Sequence, residues 1–213
     1  MTTEKTVTTE DINQRANRKS AARKRVQDKE VASKKKRKKG LLIVHSGNGK
    51  GKSTAAFGLC VRALGNGMRV AVVQFTKGKW RTGERTFFEG FGDAIVFKSM
   101  GEGFTWETQD RQGDIQAAEK AWEQVEAFLA EAAEGVWQLL VLDELNSILR
   151  YGYLDEARVV RALMARPPPL HVVVTGRGAP KALLEQADTV TEMVAVKHAY
   201  RDGGVRAQKG IEF

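Results

Sequence analysis

Two short stretches of the sequence hold residues whose types and spacing suit the chemistry of a nucleoside triphosphate. The first is a glycine-rich turn that follows the apolar run Leu41–His45 and leads into a helical pattern. In such a turn, backbone N–H groups converge on phosphate oxygens, and the following helix presents the positive end of its dipole. A lysine then reaches the outer phosphates, and a serine hydroxyl binds Mg²⁺. The nucleotide is predicted to contact Gly47, Asn48, Gly49, Lys50, Gly51, Lys52, Ser53 and Thr54.

The second stretch is a pair of adjacent carboxylates, Asp143 and Glu144, which ends the apolar run Trp137–Leu142. In an α/β sheet, the carboxyl ends of the parallel strands face the ligand crevice. One carboxylate in that position can hold Mg²⁺ directly or through water, while the other orients a neighbour or a base. Together with the glycine-rich turn, the pair predicts a site for a magnesium–nucleotide complex.

The elements that must position these residues alternate between strand and helix patterns from Gly40 onward. Short runs rich in Val, Ile and Leu are typical of strands that are buried on both faces. The alternation predicts an α/β domain with a mostly parallel, six-stranded sheet and helices on both of its faces. The longest helix places Trp122 on an apolar stripe and therefore in the core. The predicted strands are Leu41–His45, Met68–Phe75, Ala94–Met100, Trp137–Leu142, Leu170–Thr175 and Thr189–Val194, and the predicted helices are Lys52–Leu64, Thr108–Ala133 and a segment from Asp155 to before Pro167.

The positive charge of the chain is concentrated at its N-terminal end. The net charge is +9, and residues 1–39 hold 14 Lys and Arg against 5 Asp and Glu, whereas residues 40–213 hold 21 of each sign. The N-terminal segment has too few apolar residues to fold alone, although its composition favours helix. We therefore predict a basic tail over residues 1–39 and a neutral domain over residues 40–213. A neutral domain does not favour nucleic-acid binding.

The composition also narrows the class of protein. The single cysteine, Cys60, excludes a disulfide framework and a Cys-rich metal site, and its place on an apolar helix face predicts burial. No apolar run approaches the ~18–20 residues that a membrane-spanning helix needs. Acidic residues at positions 4, 10 and 11 do not favour a signal or transit peptide. These features predict a cytoplasmic enzyme.

Aromatic residues stand in loops where no core pattern requires them. Phe104 and Trp106 lie between two glycines and the start of a helix, and exposed aromatics on a loop suggest a flat, apolar ligand. The sequence resembles the ATP:corrinoid adenosyltransferase family at this motif and at several others, which together extend over residues 40–213. The matching motifs are Gly47–Ser53, Val73–Gly78, Gly103–Thr108, Val141–Leu145, Thr175–Gly178, Val196–Tyr200 and Lys209–Ile211.

The resemblance implies a P-loop NTPase-like fold of the RecA type and a specific reaction. In that reaction, Co(I) of a reduced corrinoid attacks C5′ of ATP and expels triphosphate. Because the corrinoid substrate is the nucleophile, the protein needs no nucleophilic side chain. Lys50 and Lys52 would stabilise the charge on the departing triphosphate. Ser53 and Glu144 would bind Mg²⁺ or Mn²⁺ directly. Asp143 would orient these ligands without binding the metal itself.

The resemblance also implies where the corrinoid binds and how it is reduced. Phe104 and Trp106 would occupy the lower face of the corrinoid and exclude its axial ligand. The resulting four-coordinate Co(II) would accept an electron from a flavin-type reductant. A homodimer is implied, in which residues 13–25 cap the corrinoid pocket of the neighbouring subunit.

Other polar residues are weaker candidates for the site. Arg62, on the helix after the glycine-rich turn, is predicted to touch ATP. His45, at the end of the first strand, is predicted to be a core or strand-end histidine. Positions at the rim of the site are predicted for Lys77, Glu84, Arg177 and His198.

Two alternative functions stay open at the level of sequence. One is an ATPase that hydrolyses the γ-phosphate to drive remodelling, which would release ADP and phosphate rather than triphosphate. The other is a nucleic-acid-binding module that uses the basic tail, and its binding would fall steeply with salt. The preferred corrinoid, and a role in synthesis or in salvage, also stay open.

Overall fold

The computed structural model describes residues 8–34, 39–76, 82–99 and 110–212. The chain divides into two compact units, Met1–Lys38 and Lys39–Phe213, and each is described by itself. In the first unit, helix α1 covers Thr9–Ser33 and begins with a capping box in which Thr8 and Asp11 exchange hydrogen bonds. Every residue of this helix is exposed, which agrees with the low apolar content of the segment.

The second unit is built on one sheet of six parallel strands. The strands are β1 (Leu42–Ser46), β2 (Val70–Gln74), β3 (Ile95–Ser99), β4 (Leu139–Asp143), β5 (His171–Thr175) and β6 (Thr189–Glu192). Their order across the sheet is β3-β2-β4-β5-β1-β6. All six predicted strands are present, and the predicted α/β fold with a parallel six-stranded sheet is confirmed.

Helices connect these strands, and three of them correspond to the predicted helices. The remaining helices in the described part of this unit have six residues or fewer, and such short segments carry too little periodicity to be recognised from sequence. Within the described ranges, no helix combines the length and the apolar character needed to cross a membrane. The helices are α2 (Lys52–Gly65), α3 (Gly83–Phe88), α4 (Arg111–Ala133), α5 (Leu145–Arg150), α6 (Glu156–Met164), α7 (Lys181–Gln186) and α8 (Ala199–Gly203), with a 3₁₀ helix over Glu89–Ala94.

The helices cover both faces of the sheet, because successive side chains of a strand point to opposite sides. On one face, Phe57 and Cys60 of α2 pack in a cluster that includes Val173 of β5. On the other face, Trp122 of α4 packs in a cluster that includes the next residue of β5, Val174. Cys60 and Trp122 are fully buried, so both predictions of core placement are confirmed.

The strand order brings four strand ends to one edge of the sheet. β5 lies between β1 and β4, so that Thr175 at its end pairs in register with His45 of β1 and lies next to Asp143 of β4. On the far side of β4, the last residue of β2, Gln74, pairs in register with Asp143. The glycine-rich turn after β1 therefore opens at the same edge as the carboxylates at the end of β4.

Candidate functional site

The glycine-rich turn forms a short loop between β1 and α2. Gly51 is the residue before the helix and has a φ of 106°, a left-handed conformation that a residue with a Cβ rarely adopts. Helix α2 begins directly afterwards at Lys52, so its free N–H groups face the loop. The loop is thus built to surround an anion at a helix N-terminus.

The loop is held against the chain that follows β6. The backbone N–H of Gly49 donates to the carbonyl oxygen of Met193 at 2.6 Å, and the N–H of Met193 donates to the carbonyl oxygen of Ser46 at 2.9 Å. A Cβ on Gly49 would lie only 2.7 Å from the Met193 carbonyl oxygen. Glycine at this position therefore permits a close approach of two backbone segments as well as a tight turn.

The two lysines of the loop have different surroundings. Lys52 is buried, and its ammonium group donates to the carbonyl oxygen of Gly49 at 2.6 Å. Burial lowers the pKa of Lys52, while the nearby carboxylate of Glu144 raises it. Lys50 is more exposed and forms an ion pair with Glu212 of the C-terminal segment. Both cations therefore stand at the loop, where a polyphosphate would bring its negative charge.

Asp143 is buried, and each oxygen of its carboxylate accepts a hydrogen bond from a neighbouring side chain. One oxygen, Oδ1, accepts from the hydroxyl of Thr175 at 2.7 Å, and Oδ2 accepts from the side-chain amide of Gln74 at 3.0 Å. Only 1% of Asp143 is exposed to solvent. An acid held in this way orients its surroundings and has little access to a ligand in the cavity.

Glu144 has a different environment from the acid beside it. Its φ is 63°, which makes it the one residue other than glycine with a positive φ in the part of the chain that the structure describes. A left-handed conformation at such a residue costs about 1–3 kcal/mol and persists only where neighbouring contacts impose it. The carboxylate accepts from the hydroxyl of Ser147 at 2.5 Å, and burial raises the pKa of Glu144.

A cavity of about 580 Å³ joins the glycine-rich loop to the end of β4. Its wall also includes Phe57, Gln74, Thr82 and two residues of the C-terminal segment, Ile211 and Glu212. The predicted site residues that line it are Lys50, Gly51, Lys52, Ser53, Thr54 and Glu144, together with Glu84, which was predicted at the rim. The structure thus places the loop lysines, a hydroxyl and a carboxylate around one space, as the magnesium–nucleotide prediction requires.

The other predicted residues fall into three groups. Arg62 lies in the last turn of α2, ten positions and about 15 Å along the helix from Lys52, and lines a different cavity with Leu41 and His171. The structure therefore does not bring Arg62 to the loop, and its contact with ATP stays a prediction. Three predicted residues, Lys77, Phe104 and Trp106, lie outside the described residues.

Three further candidates have defined places. The main-chain N–H of Arg177 donates to the Ser147 hydroxyl. The positive charge of Arg177 acts to lower the pKa of both Lys52 and Glu144. His198 caps α8, where its ring nitrogen accepts from two backbone N–H groups. His45 is buried at the end of β1, where burial lowers its pKa. This agrees with the prediction of a strand-end histidine.

Sequence reasoning did not identify several residues that shape the site. Gln74, Thr175 and Ser147 hold the two acids, and Glu212 pairs with Lys50. Gln74 and Thr175 stand in motifs that supported the family resemblance, which was the only available signal. Ser147 gave none, because it reaches Glu144 through the short helix α5, which the sequence did not indicate. Glu212 gave none, because only the tertiary fold brings it to the cavity.

Comparison with known proteins identifies the relatives of this chain. Residues 38–213 match the family model described as ATP:corrinoid adenosyltransferase BtuR/CobO/CobP. A corrinoid adenosyltransferase of Pseudomonas aeruginosa is 53% identical over 200 residues, which cover 94% of this chain and 96% of that protein. The corrinoid adenosyltransferase of Escherichia coli K12 is 46% identical, and the corrinoid adenosyltransferase CobA of Salmonella typhimurium is 47% identical. Each of these two alignments covers 82% of this chain and 86% of the relative. The chain is therefore a transferase and belongs to the ATP:corrinoid adenosyltransferase family.

Proposed function

We propose that this protein transfers the 5′-deoxyadenosyl group of ATP to Co(I) of cobalamin or of a corrinoid precursor and releases triphosphate. The reaction would serve the synthesis or salvage of adenosylcobalamin in the cytoplasm. The observation that carries the proposal is that the loop lysines, Ser53 and Glu144 line the same cavity, in a chain of this family.

The chemical step moves one electron pair from cobalt to carbon. The Co(I) pair forms the cobalt–carbon bond at C5′, the C5′–O bond breaks, and its electrons remain on the triphosphate. The protein's part is to position the two substrates and to stabilise the charge on the leaving group. Lys50, Lys52 and the N–H groups at the start of α2 are the groups available for this purpose.

The residues of the cavity fit a magnesium ion that is bound mainly by the nucleotide. Mg²⁺ favours oxygen ligands and keeps few protein ligands when phosphates are present. The hydroxyl of Ser53 and the carboxylate of Glu144 line the cavity, while Asp143 is occupied by other donors. The described residues contain no cluster of three or more His, Cys, Asp or Glu side chains that would form an all-protein metal site. When bound, Mg²⁺ or Mn²⁺ would neutralise charge on the departing triphosphate.

The corrinoid is proposed to contact Phe104 and Trp106, as the family resemblance implies. By excluding the axial ligand, these aromatics would make Co(II) reducible by a flavin-type reductant. We expect Trp106→Ala to reduce turnover from Co(II) far more than turnover from chemically pre-reduced Co(I). Equal losses in the two assays would argue against this role.

A homodimer is proposed in which the N-terminal segment caps the corrinoid pocket of the partner. The support from this chain is that α1 forms a long helix with a capping box although none of its residues is buried. Adding corrinoid and ATP should therefore protect residues 8–34 from protease. Unchanged cleavage of this segment would count against the cap.

One assay tests the central proposal. The protein is incubated with ATP, Mg²⁺ and a reduced corrinoid, and the products are followed by absorbance and by phosphate chromatography. We expect the spectrum of a light-sensitive alkylcorrinoid and one triphosphate for each product molecule. Release of ADP and phosphate without an alkylcorrinoid would instead favour an ATPase.

A further inference from the structure

A buried hydroxyl joins Asp143, the last residue of β4, to Glu144, the residue after it. We propose that Thr175 is a positioning residue, which fixes Asp143 and sets the backbone of Glu144 so that the Glu144 carboxylate is directed to the metal–nucleotide site. This inference rests on the proposed function, because it assigns a role at the same site.

The position of Thr175 follows from the register of the sheet. Leu142 of β4 pairs with Val174 of β5, so the next residues, Asp143 and Thr175, adjoin at the carboxyl edge. Thr175 is completely buried. Its hydroxyl donates to Oδ1 of Asp143 at 2.7 Å and accepts from the backbone N–H of Glu144 at 2.9 Å. A single oxygen thus contacts a side chain and a main-chain group of two consecutive residues.

The contact to the Glu144 N–H accounts for the unusual backbone at that residue. A left-handed φ at a glutamate needs support from its surroundings. The hydroxyl of Thr175 provides it by accepting a hydrogen bond from the backbone N–H of Glu144. Downstream, the main chain enters α5 directly at Leu145. Thr175 on one side and the helix on the other therefore determine where the Glu144 side chain leaves the backbone.

The chemistry of the position requires a group that donates and accepts at once. A hydroxyl does both, whereas a valine of nearly the same shape does neither. Thr175→Val would leave Asp143 Oδ1 and the Glu144 N–H without their shared partner in a buried place. Thr175→Ser keeps the hydroxyl and removes only a methyl group, which makes it the conservative comparison.

Binding of Mn²⁺ provides a test that does not depend on catalysis. The full-length protein is titrated with Mn²⁺ in the presence of ATP and without corrinoid, and bound metal is measured by electron paramagnetic resonance. Loss of a group that orients a metal ligand typically lowers metal affinity by 10–100-fold. We expect Thr175→Val to raise the Mn²⁺ dissociation constant by at least about tenfold, and Thr175→Ser to change it by less than about threefold.

Val174→Ala is the matched control for a merely structural effect. Val174 is the preceding residue of β5 and is also fully buried, but it belongs to the apolar cluster on the opposite face. It should lower the thermal midpoint of unfolding without changing Mn²⁺ affinity. Equal Mn²⁺ affinities for wild type and Thr175→Val, or equal losses in Thr175→Ser and Thr175→Val, would overturn the proposal.

The outcome is separable from that of the proposed function. Metal binding in the presence of ATP is measured without any corrinoid, so a failure of adenosyl transfer leaves the titration interpretable. Conversely, normal transfer by the wild type combined with unchanged Mn²⁺ affinity in Thr175→Val would reject only the role of Thr175.

Discussion

Replacement of Gly49 by alanine tests the idea that the phosphate loop depends on a close approach to the chain after β6. The new Cβ would lie 2.7 Å from the carbonyl oxygen of Met193 and 2.8 Å from the carbonyl carbons of Met193 and Val194. Ordinary van der Waals contact begins at 3.4 Å, so one segment must move by about 0.7 Å. All three contacts are with backbone atoms, which cannot rotate away.

The magnitude follows from the contacts that the displacement breaks. The hydrogen bond from the Gly49 N–H to Met193 contributes about 1 kcal/mol. Overpacking of a tight contact costs about 1–3 kcal/mol more. We therefore expect Gly49→Ala to lower the free energy of unfolding by about 2–4 kcal/mol, or the thermal midpoint by about 4–16 °C. If the loop moves instead of the neighbouring chain, the affinity for ATP should fall by at least about tenfold.

Gly58→Ala is the matched control, because it makes the same glycine-to-alanine change in α2, the helix that follows the loop. Gly58 lies in α2, and a Cβ built on it meets nothing within 4 Å. Alanine there should stabilise the helix by about 0.5–1 kcal/mol. The two variants are compared by thermal unfolding and by calorimetric titration with ATP and Mg²⁺. If Gly49→Ala matches wild type or Gly58→Ala in both measurements, the reasoning is wrong.

Three further predictions concern charged or titratable groups. The hydrogen bond from Lys39 holds the pKa of Asp188 below its usual 3.8. The pair, which is open to water, therefore adds about 1 kcal/mol to the free energy of unfolding. This stabilisation is present above pH 3.8 and is lost as the pH falls through the lower pKa of the folded state. Denaturant titrations should show Asp188→Asn less stable than wild type at pH 6, and a difference that persists at the lowest pH would contradict this. Glu212→Gln removes the carboxylate paired with Lys50 and should tighten binding of inorganic triphosphate by about twofold to fivefold at low salt; weaker binding in calorimetry would contradict this. Burial raises the pKa of Cys60 to about 12, so a thiol reagent at pH 8 should label it only in denaturant, and rapid labelling of the native protein would contradict its burial.

The sequence predicted the helices and strands whose hydrophobic pattern extends over enough residues to be recognised. All six strands and the three longer helices of the domain were recognisable, because their apolar residues recur with the period of the element. The short helices were not, since six residues make fewer than two turns. One of them, α5, follows Glu144 directly, so the helix that helps to direct this acid could not be anticipated.

The sequence by itself determined the local part of the site. The glycine-rich turn, its lysines and the hydroxyl of Ser53 are neighbours along the chain, with a strand before them and a helix after them. Local order also placed two acids at the end of β4. These features could be predicted because the residues of each one stand next to each other in the sequence.

Only the tertiary structure decided which acid faces the cavity and which is held in the core. Asp143 is occupied by Gln74, 69 positions away, and by Thr175, 32 positions away, while Glu144 is left at the cavity wall. Likewise, the loop is fixed by Met193, which reaches it only because β6 lies next to β1. The order of strands across the sheet sets these partners, and that order arises from packing of the whole domain rather than from any local pattern.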